Sequence, residues 1–517
     1  MNVSSRAKLS LSKLKQMEES IAQTRPQLKK IKEMYGDLSY FQYAKQKNRI
    51  NLNKNFRDRK NEVITVIVNE TARLLGTAIA DGIHQQLKKN DSISTTEHTA
   101  PLGTVYALNA VLHMAIPMFG SDDSKMKNII TLSCSGTSFN NLLSFSRGHQ
   151  FHGLKDRQII EKQLTFFGRS IDSSTVLYSP PYKTDALKEI NKQLSFFVKE
   201  GQLTGENIDK IQSLFAAIYA SPHPLTGTDF VDQLTITNYY FWKKLFPEYK
   251  EQDIPNYIML SQEKILLQLL LDYHLDHDTI VNRFLFDKEY HTHIEKFFAN
   301  IDGAFSKDHN VGTFLFWGLS AKDHIRIQLF KKGNQLVSND DTFRLDLTPQ
   351  AVREAIINKT VFPGLLLTFI VLSFYYGLRL GGGTSQPNYL TQMHEAYRTM
   401  LTQLGDAEVQ NTEDIITDDY VFYRPHLAFL DFNDKRIPAT GMDMYLYQDP
   451  TQWQKILQAT KQIALGDFMT TLLPALYKEF CPDAQKEDIL MAINQQDVET
   501  FIGLDKKLPS LGTIEVK

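Results

Sequence analysis

The run Asn128–Cys134, NIITLSC, constrains this chain more than any other stretch. It is short, apolar and β-branched, and it stops at a Ser/Gly/Thr cluster, the pattern of a buried strand. Ser174–Tyr182, STVLYSPPY, repeats a short apolar run that ends in Ser and Pro and predicts a second strand. Helical periodicity precedes, separates and follows the two. The expected fold is therefore an α/β core with an at least partly parallel sheet, carrying extensive helical additions and predominantly helical overall. From Asn310, the residues NVGTFLFWGLSAKDHIRIQLFKKGNQL alternate apolar and polar on both sides of a turn and predict a β-hairpin.

With 517 residues the chain exceeds one ordinary core. Its sequence divides into a basic N-terminal helical segment (1–58), an α/β core with the candidate site (59–250), a helical region with the hairpin and a buried apolar helix (251–402), and an acidic C-terminal region (403–517). Leu14, Met17, Ile21, Thr24, Leu28, Ile31 and Tyr35 keep one helical face, interrupted by Pro26. A further helical stretch is expected from about Arg59 to Lys89. Thr348 and Pro349 supply an N-cap and first-turn proline for another helix. Gln403–Asp419 reads as a linker or exposed loop.

Only Cys134 and Cys481 are present, so no disulfide framework or cysteine zinc site can be built within one chain. A soluble, cytoplasmic protein is expected, since the N-terminus has no continuous apolar signal region. Val361–Leu378 is apolar and uncharged, but it begins Phe-Pro-Gly and lacks basic flanks. It is expected to be a buried helix rather than a membrane span. Residues 1–60 are strongly basic and the last hundred-odd comparably acidic, yet no nucleic-acid motif accompanies the basic end. No cofactor and no oligomeric state can be assigned.

Two segments hold the candidate chemistry. In Ser94–His113, Thr99 and Pro101 suggest the start of a helix that ends before Pro117. Its two histidines would then stand roughly 20 Å apart, too far to share a metal. His113 reads as a hydrogen-bonded core residue. His98, at the expected helix start, would be held neutral as a general base, with Glu97 to orient it. After the predicted strand, Gly136, Thr137, Ser138, Asn140 and Asn141 suggest an anion-binding turn, and Arg147, Lys155 and Arg157 suggest cationic partners.

The leading expectation is an enzyme acting on a small carboxylate- or phosphate-bearing metabolite. His98 and Glu97 are its acid-base pair, and Ser138, Asn140, Arg147 and Lys155 position the substrate. Two alternatives stand beside it. Gly136-Thr137-Ser138-Phe139-Asn140 partly fits a nucleophile elbow, which suggests a serine-hydrolase-like reaction at Ser138, although Asn140 replaces the usual second glycine. A noncatalytic interaction protein would use the basic N-terminal helix and the acidic tail. Cys134 reads as packing, Asp272–Asp278 and His291–His293 as solvated helix ends rather than metal sites, and Gly381–Gly383 as a close-approach turn or hinge that matches no nucleotide-binding pattern.

Overall fold

The computed structural model describes residues 9–47, 57–90, 92–94, 98–119, 126–141, 145–306, 308–309, 311–414, 425–433 and 435–514. Helices predominate. Among them lies a four-stranded, wholly parallel sheet of β1 (Ser92–Ser94), β2 (Asn128–Ser133), β3 (Asn256–Ser261) and β4 (Arg379–Gly381), in the order β4-β1-β2-β3. Its register aligns Asn128 with Asn256 and Ser133 with Ser261, while Ser92 aligns with Arg379 and Ser94 with Gly381.

The apolar character of NIITLSC follows from burial on both faces. Ile129, Tyr257 and Met259 belong to one apolar core, and the alternate residues Ile130, Leu132, Ile258 and Leu260 to another. Neither face meets water, so no polar alternation survives. The first core also gathers Leu14, Met17, Ile21, Leu28 and Ile31 with residues from Leu427 to Ile514. The N-terminal stripe thus forms two helices, Leu11–Thr24 and Pro26–Tyr35, of which the first packs on the helix Leu465–Phe480.

Several expected elements differ. Ser174–Tyr182 is a turn rather than a strand: Thr175 bridges to Ser138, the Val176 and Leu177 N–H groups donate to the Thr137 and Ser135 carbonyls, and Tyr178 has φ 63°. Two prolines at its end limit any ladder hydrogen bonding. The helix expected to start at Thr99 runs over Val105–Phe119. The backbone at Thr99 instead continues beside β2: its N–H donates to the Cys134 carbonyl (3.1 Å), and its hydroxyl pairs with that of Ser133 (2.6 Å). The Arg59–Lys89 stretch divides into Arg57–Leu75 and Thr77–Leu87 at Gly76, whose φ of 92° suits glycine. Among the described residues the element that follows Ser138 is not a helix but a long hairpin, Gly148–Lys155 with Gln158–Thr165.

Between β3 and β4 the chain builds a largely β insert. Phe316–Leu319 pairs with Arg326–Ile327 and Val361–Pro363, and Leu329–Lys332 forms a hairpin with Gln335–Ser338. Val361–Leu378 is thereby shared among a strand, the helix Leu365–Phe369 and a π-helical turn over Ile370–Tyr375. Among the described residues no helix is long and apolar enough to cross a membrane. Thr348 caps the helix Pro349–Ile357, accepting from the Ala351 N–H. Gln403–Asp419 is anchored where it is described: Glu408 pairs bidentately with Arg59, and Asp406 with Arg283.

Candidate functional site

All four parallel strands release the chain at one edge of the sheet, where it surrounds a cavity of about 550 Å³. β1 contributes His98, β2 contributes Cys134, Gly136 and Thr137, β3 contributes Gln262 and Glu263, and β4 contributes Gly383, Thr384, Ser385 and Gln386. The insert supplies the opposite wall, with Trp317, Arg326, Phe362 and Leu365; Phe369 and Tyr389 complete it. Crevices outside the carboxyl ends of parallel strands are where open α/β sheets bind ligands. This volume lies within the range of small-molecule sites.

At the end of β2 the start of the anion-binding turn expected from Gly136–Asn141 is taken up by the protein's own carboxylate, and the amides of Phe139, Asn140 and Asn141 donate to backbone carbonyls. Glu263 Oε2 accepts from the Ser135 N–H (2.9 Å), the Ser135 hydroxyl (2.7 Å) and the Ser261 hydroxyl (3.1 Å). Oε1 accepts from the Gly136 N–H (2.9 Å), with longer contacts to Cys134 Sγ (3.4 Å) and Gln262 Nε2 (3.5 Å). Ser261 is the N-cap of the helix Gln262–Leu269, so Glu263 sits in the first turn, where the helix dipole favours a carboxylate. Burial and this carboxylate push the Cys134 thiol well above its ordinary range. It is held protonated and is a poor nucleophile.

The end of β4 is built differently. The chain passes from strand through a glycine-rich turn into the 19-residue helix Gln386–Leu404, and Ser385 caps that helix without a side-chain hydrogen bond. No protein acceptor takes up the amides of Gly383, Thr384 and Ser385 among the described residues. Thr384 is nevertheless buried. Unmet donors at a helix N-terminus attract anions.

Arg326 adds a cation to the same cavity. Its guanidinium stacks over the Trp317 ring at 4.8 Å and pairs with no carboxylate among the described residues.

His98 bridges to Cys134 in parallel register, hydrogen-bonds with Asn141, and leaves Nδ1 without a partner. Desolvation of the ring lowers its pKa against the smaller opposing effects of Asn141 and Glu263. Neutrality therefore comes from enclosure, not from the helix start expected at Thr99, which lies further along the chain. Glu97 lies outside the described residues.

The other expected substrate-positioning residues do not join His98. The Ser138 hydroxyl donates to Asn140 Oδ1 (2.6 Å), and neither residue lines the cavity. No imidazole hydrogen-bonds to Ser138 among the described residues, and the absence of a following helix removes the context of a nucleophile elbow. Arg147 is buried at the start of the long hairpin and pairs with Asp172 (3.1 Å). Lys155 is exposed at the far end of the same strand. These two basic residues stand at opposite ends of one strand, which is why their proximity in sequence does not become a site.

His113 is a core residue: its Nδ1 meets the Tyr40 hydroxyl at 2.6 Å, and burial lowers its pKa to about 3. No cluster of His, Cys, Asp and Glu suited to a metal occurs among the described residues. Glu263, Arg326 and Trp317 were not apparent from sequence. The stretch Asn256–Ser261, NYIMLS, carries the signal that points to Glu263: an apolar run closing on serine, as at β2. Compared with models of known protein families the chain matches none, and comparison with curated proteins finds no match.

Proposed function

We propose that this protein is an enzyme of α/β type that binds a small carboxylate- or phosphate-bearing molecule at the carboxyl edge of its parallel sheet. The observation that carries this reading is the set of amides at Gly383, Thr384 and Ser385, which meet no acceptor among the described residues where a long helix begins inside the cavity. Thr384 is buried and its two neighbours half-buried, and donors so enclosed at a helix start favour an anionic acceptor. Arg326 supplies the countercharge, and the apolar wall around Phe362 and Phe369 takes the body of the molecule. His98, neutral and lining the same space, is the proposed general base. The two free cysteines suit a reducing compartment such as the cytoplasm.

The test uses the full chain with inorganic phosphate, phenyl phosphate and benzoate as probes, read by thermal shift and by titration calorimetry. At least one probe should raise Tm in a saturable manner, because a ligand bound to the native state stabilises it. Arg326→Gln should weaken that binding by about tenfold, the order expected for one charge-assisted contact. If none of the three probes changes Tm or produces heat, the anion reading is lost. Once a turned-over substrate is in hand, His98→Asn should lower kcat by about 100-fold or more while binding persists.

A further inference from the structure

Resting on the anion-binding reading, the arrangement of charge across the cavity narrows the class of molecule. We propose that the ligand is a zwitterion of the α-amino-acid class with a large apolar side chain. Its carboxylate lies at Gly383–Ser385 and Arg326, its ammonium faces Glu263, and its side chain lies along Trp317, Phe362 and Phe369.

The cavity has two poles. Its cationic pole is Arg326 together with the start of the Gln386–Leu404 helix. Its anionic pole is Glu263, which is almost fully buried at the joined ends of β2 and β3; a second carboxylate, Glu479, is exposed where it lines the cavity. Cys134 lines the same cavity beside the anionic pole, its thiol donating to Glu263 Oε1 at 3.4 Å. A molecule with only an anionic group would satisfy the first pole and leave the second facing its own charge or its apolar portion.

The hydrogen bonding of Glu263 is uneven in the way such a ligand needs. Oε2 has three donors at 2.7–3.1 Å and is saturated. Oε1 has one close donor, the Gly136 N–H, and two contacts at 3.4 and 3.5 Å. A carboxylate oxygen accepts about two hydrogen bonds, so on Oε1 a ligand's N–H would replace the weak donors, the Cys134 thiol and the Gln262 amide. A thiol and a long amide contact meet that capacity weakly, whereas an ammonium meets it with charge.

Gly136 keeps the approach narrow, because a Cβ there would stand 2.4 Å from the Phe362 ring and 3.1 Å from Glu263 Oε1. The aromatic wall therefore closes directly against the anionic pole. This places the ligand's apolar portion beside its ammonium, as in an α-amino acid.

The experiment measures binding of L-phenylalanine, 3-phenylpropionate and phenethylamine to the full chain by titration calorimetry. These three share the ring and differ only in which charge they carry. L-Phenylalanine should bind at least about tenfold more tightly than either singly charged analogue, each of which lacks one charge-assisted contact. Arg326→Gln should reduce its affinity to roughly that of phenethylamine. Trp317→Leu should weaken all three while circular dichroism shows an unchanged fold.

Equal binding of L-phenylalanine and 3-phenylpropionate would overturn the zwitterion and leave the anion site standing. Absence of binding by all three would also overturn it, while the phosphate and benzoate titrations judge the anion site separately. Binding of L-phenylalanine that is insensitive to both Arg326→Gln and Trp317→Leu would place the site elsewhere, which likewise overturns the proposal.

Discussion

The turns at the ends of β2 and β4 lie along one sheet edge and face one cavity, yet they satisfy their backbone donors in opposite ways. At β2, the amides of Ser135 and Gly136 donate to Glu263, a residue more than a hundred positions away in the chain. At β4, the amides of Gly383, Thr384 and Ser385 donate to no protein acceptor among the described residues. Both turns are glycine-containing and hydroxyl-rich, so composition alone does not separate them. The difference teaches that a turn suited to anions is a ligand site only where the fold has not already supplied the anion. A carboxylate in the first turn of the neighbouring helix makes the β2 turn structural, and the lack of one at the β4 turn among the described residues is what the proposed anion site rests on.

Removing the internal anion is the most forceful way to break this contrast. Glu263→Ala strands the amides of Ser135 and Gly136 in a buried setting and leaves the Ser135 and Ser261 hydroxyls mainly each other as partners. Several such groups at about 1–3 kcal/mol each predict a loss of about 3–5 kcal/mol in stability, measurable by urea denaturation. A loss below about 1 kcal/mol would show that the β2 turn does not depend on Glu263.

The paired glycine substitutions come next in size. Gly136→Ala sets a Cβ 2.4 Å from the Phe362 ring and should cost about 1–3 kcal/mol. Gly382→Ala meets Gln386, its Cδ and Oε1 at 2.2 Å and its Cβ at 2.6 Å. The outer atoms can turn aside but the Cβ cannot, so the cost should be of similar size, about 1–3 kcal/mol, and an unchanged midpoint in either variant would show that its turn yields readily.

A smaller effect concerns protons. Because enclosure lowers the pKa of His98 below its ordinary value near 6.5, the unfolded chain binds a proton there at higher pH than the folded protein does. Stability is full above about pH 6.5 and falls as the pH drops, with His113 and His149, both lowered to about 3, acting in the same sense. His98→Asn should therefore make the acid limb of the stability curve shallower between about pH 6.5 and 4 without removing it. An unchanged limb would mean that His98 titrates alike in both states.

Least of all in stability should be Arg326→Gln. The guanidinium is exposed and unpaired, so the unliganded protein should change by less than about 0.5 kcal/mol. A larger loss would make Arg326 part of the scaffold rather than of the β4 pole.

The same contrast explains what could be read in advance. β2, the core role of His113 and the Thr348 cap were legible because each depends on neighbours within a few residues. His98 was legible as a position and misread in its cause: Thr99 and Pro101 resemble a helix start, but pairing with Cys134 and Ser133 holds that backbone beside the sheet. Ser138, Asn140, Arg147 and Lys155 were grouped by proximity along the chain, and the long hairpin carries the last two away from the cavity. Arg326 and Glu263 reach the site only through the parallel crossover and the insert, which no local pattern encodes. Gly381–Gly383 stands out in the sequence as a close-approach turn, but which hydrogen-bond partners the following residues meet is set by distant segments.

One feature of the core bears on how the protein is made. Ser39 bridges to Ala464, the Tyr40 N–H donates to the Ile463 carbonyl, and the first helix packs on Leu465–Phe480. During synthesis at roughly 5–20 residues per second, the N-terminal helices wait on the order of tens of seconds for those partners to leave the ribosome. Their apolar stripe, Leu14 to Ile31, is unprotected throughout that interval. Lys13, Lys15, Lys29, Lys30 and Lys32 outnumber the three glutamates of the same helices, and a net like charge favours solubility of a segment whose apolar stripe is uncovered.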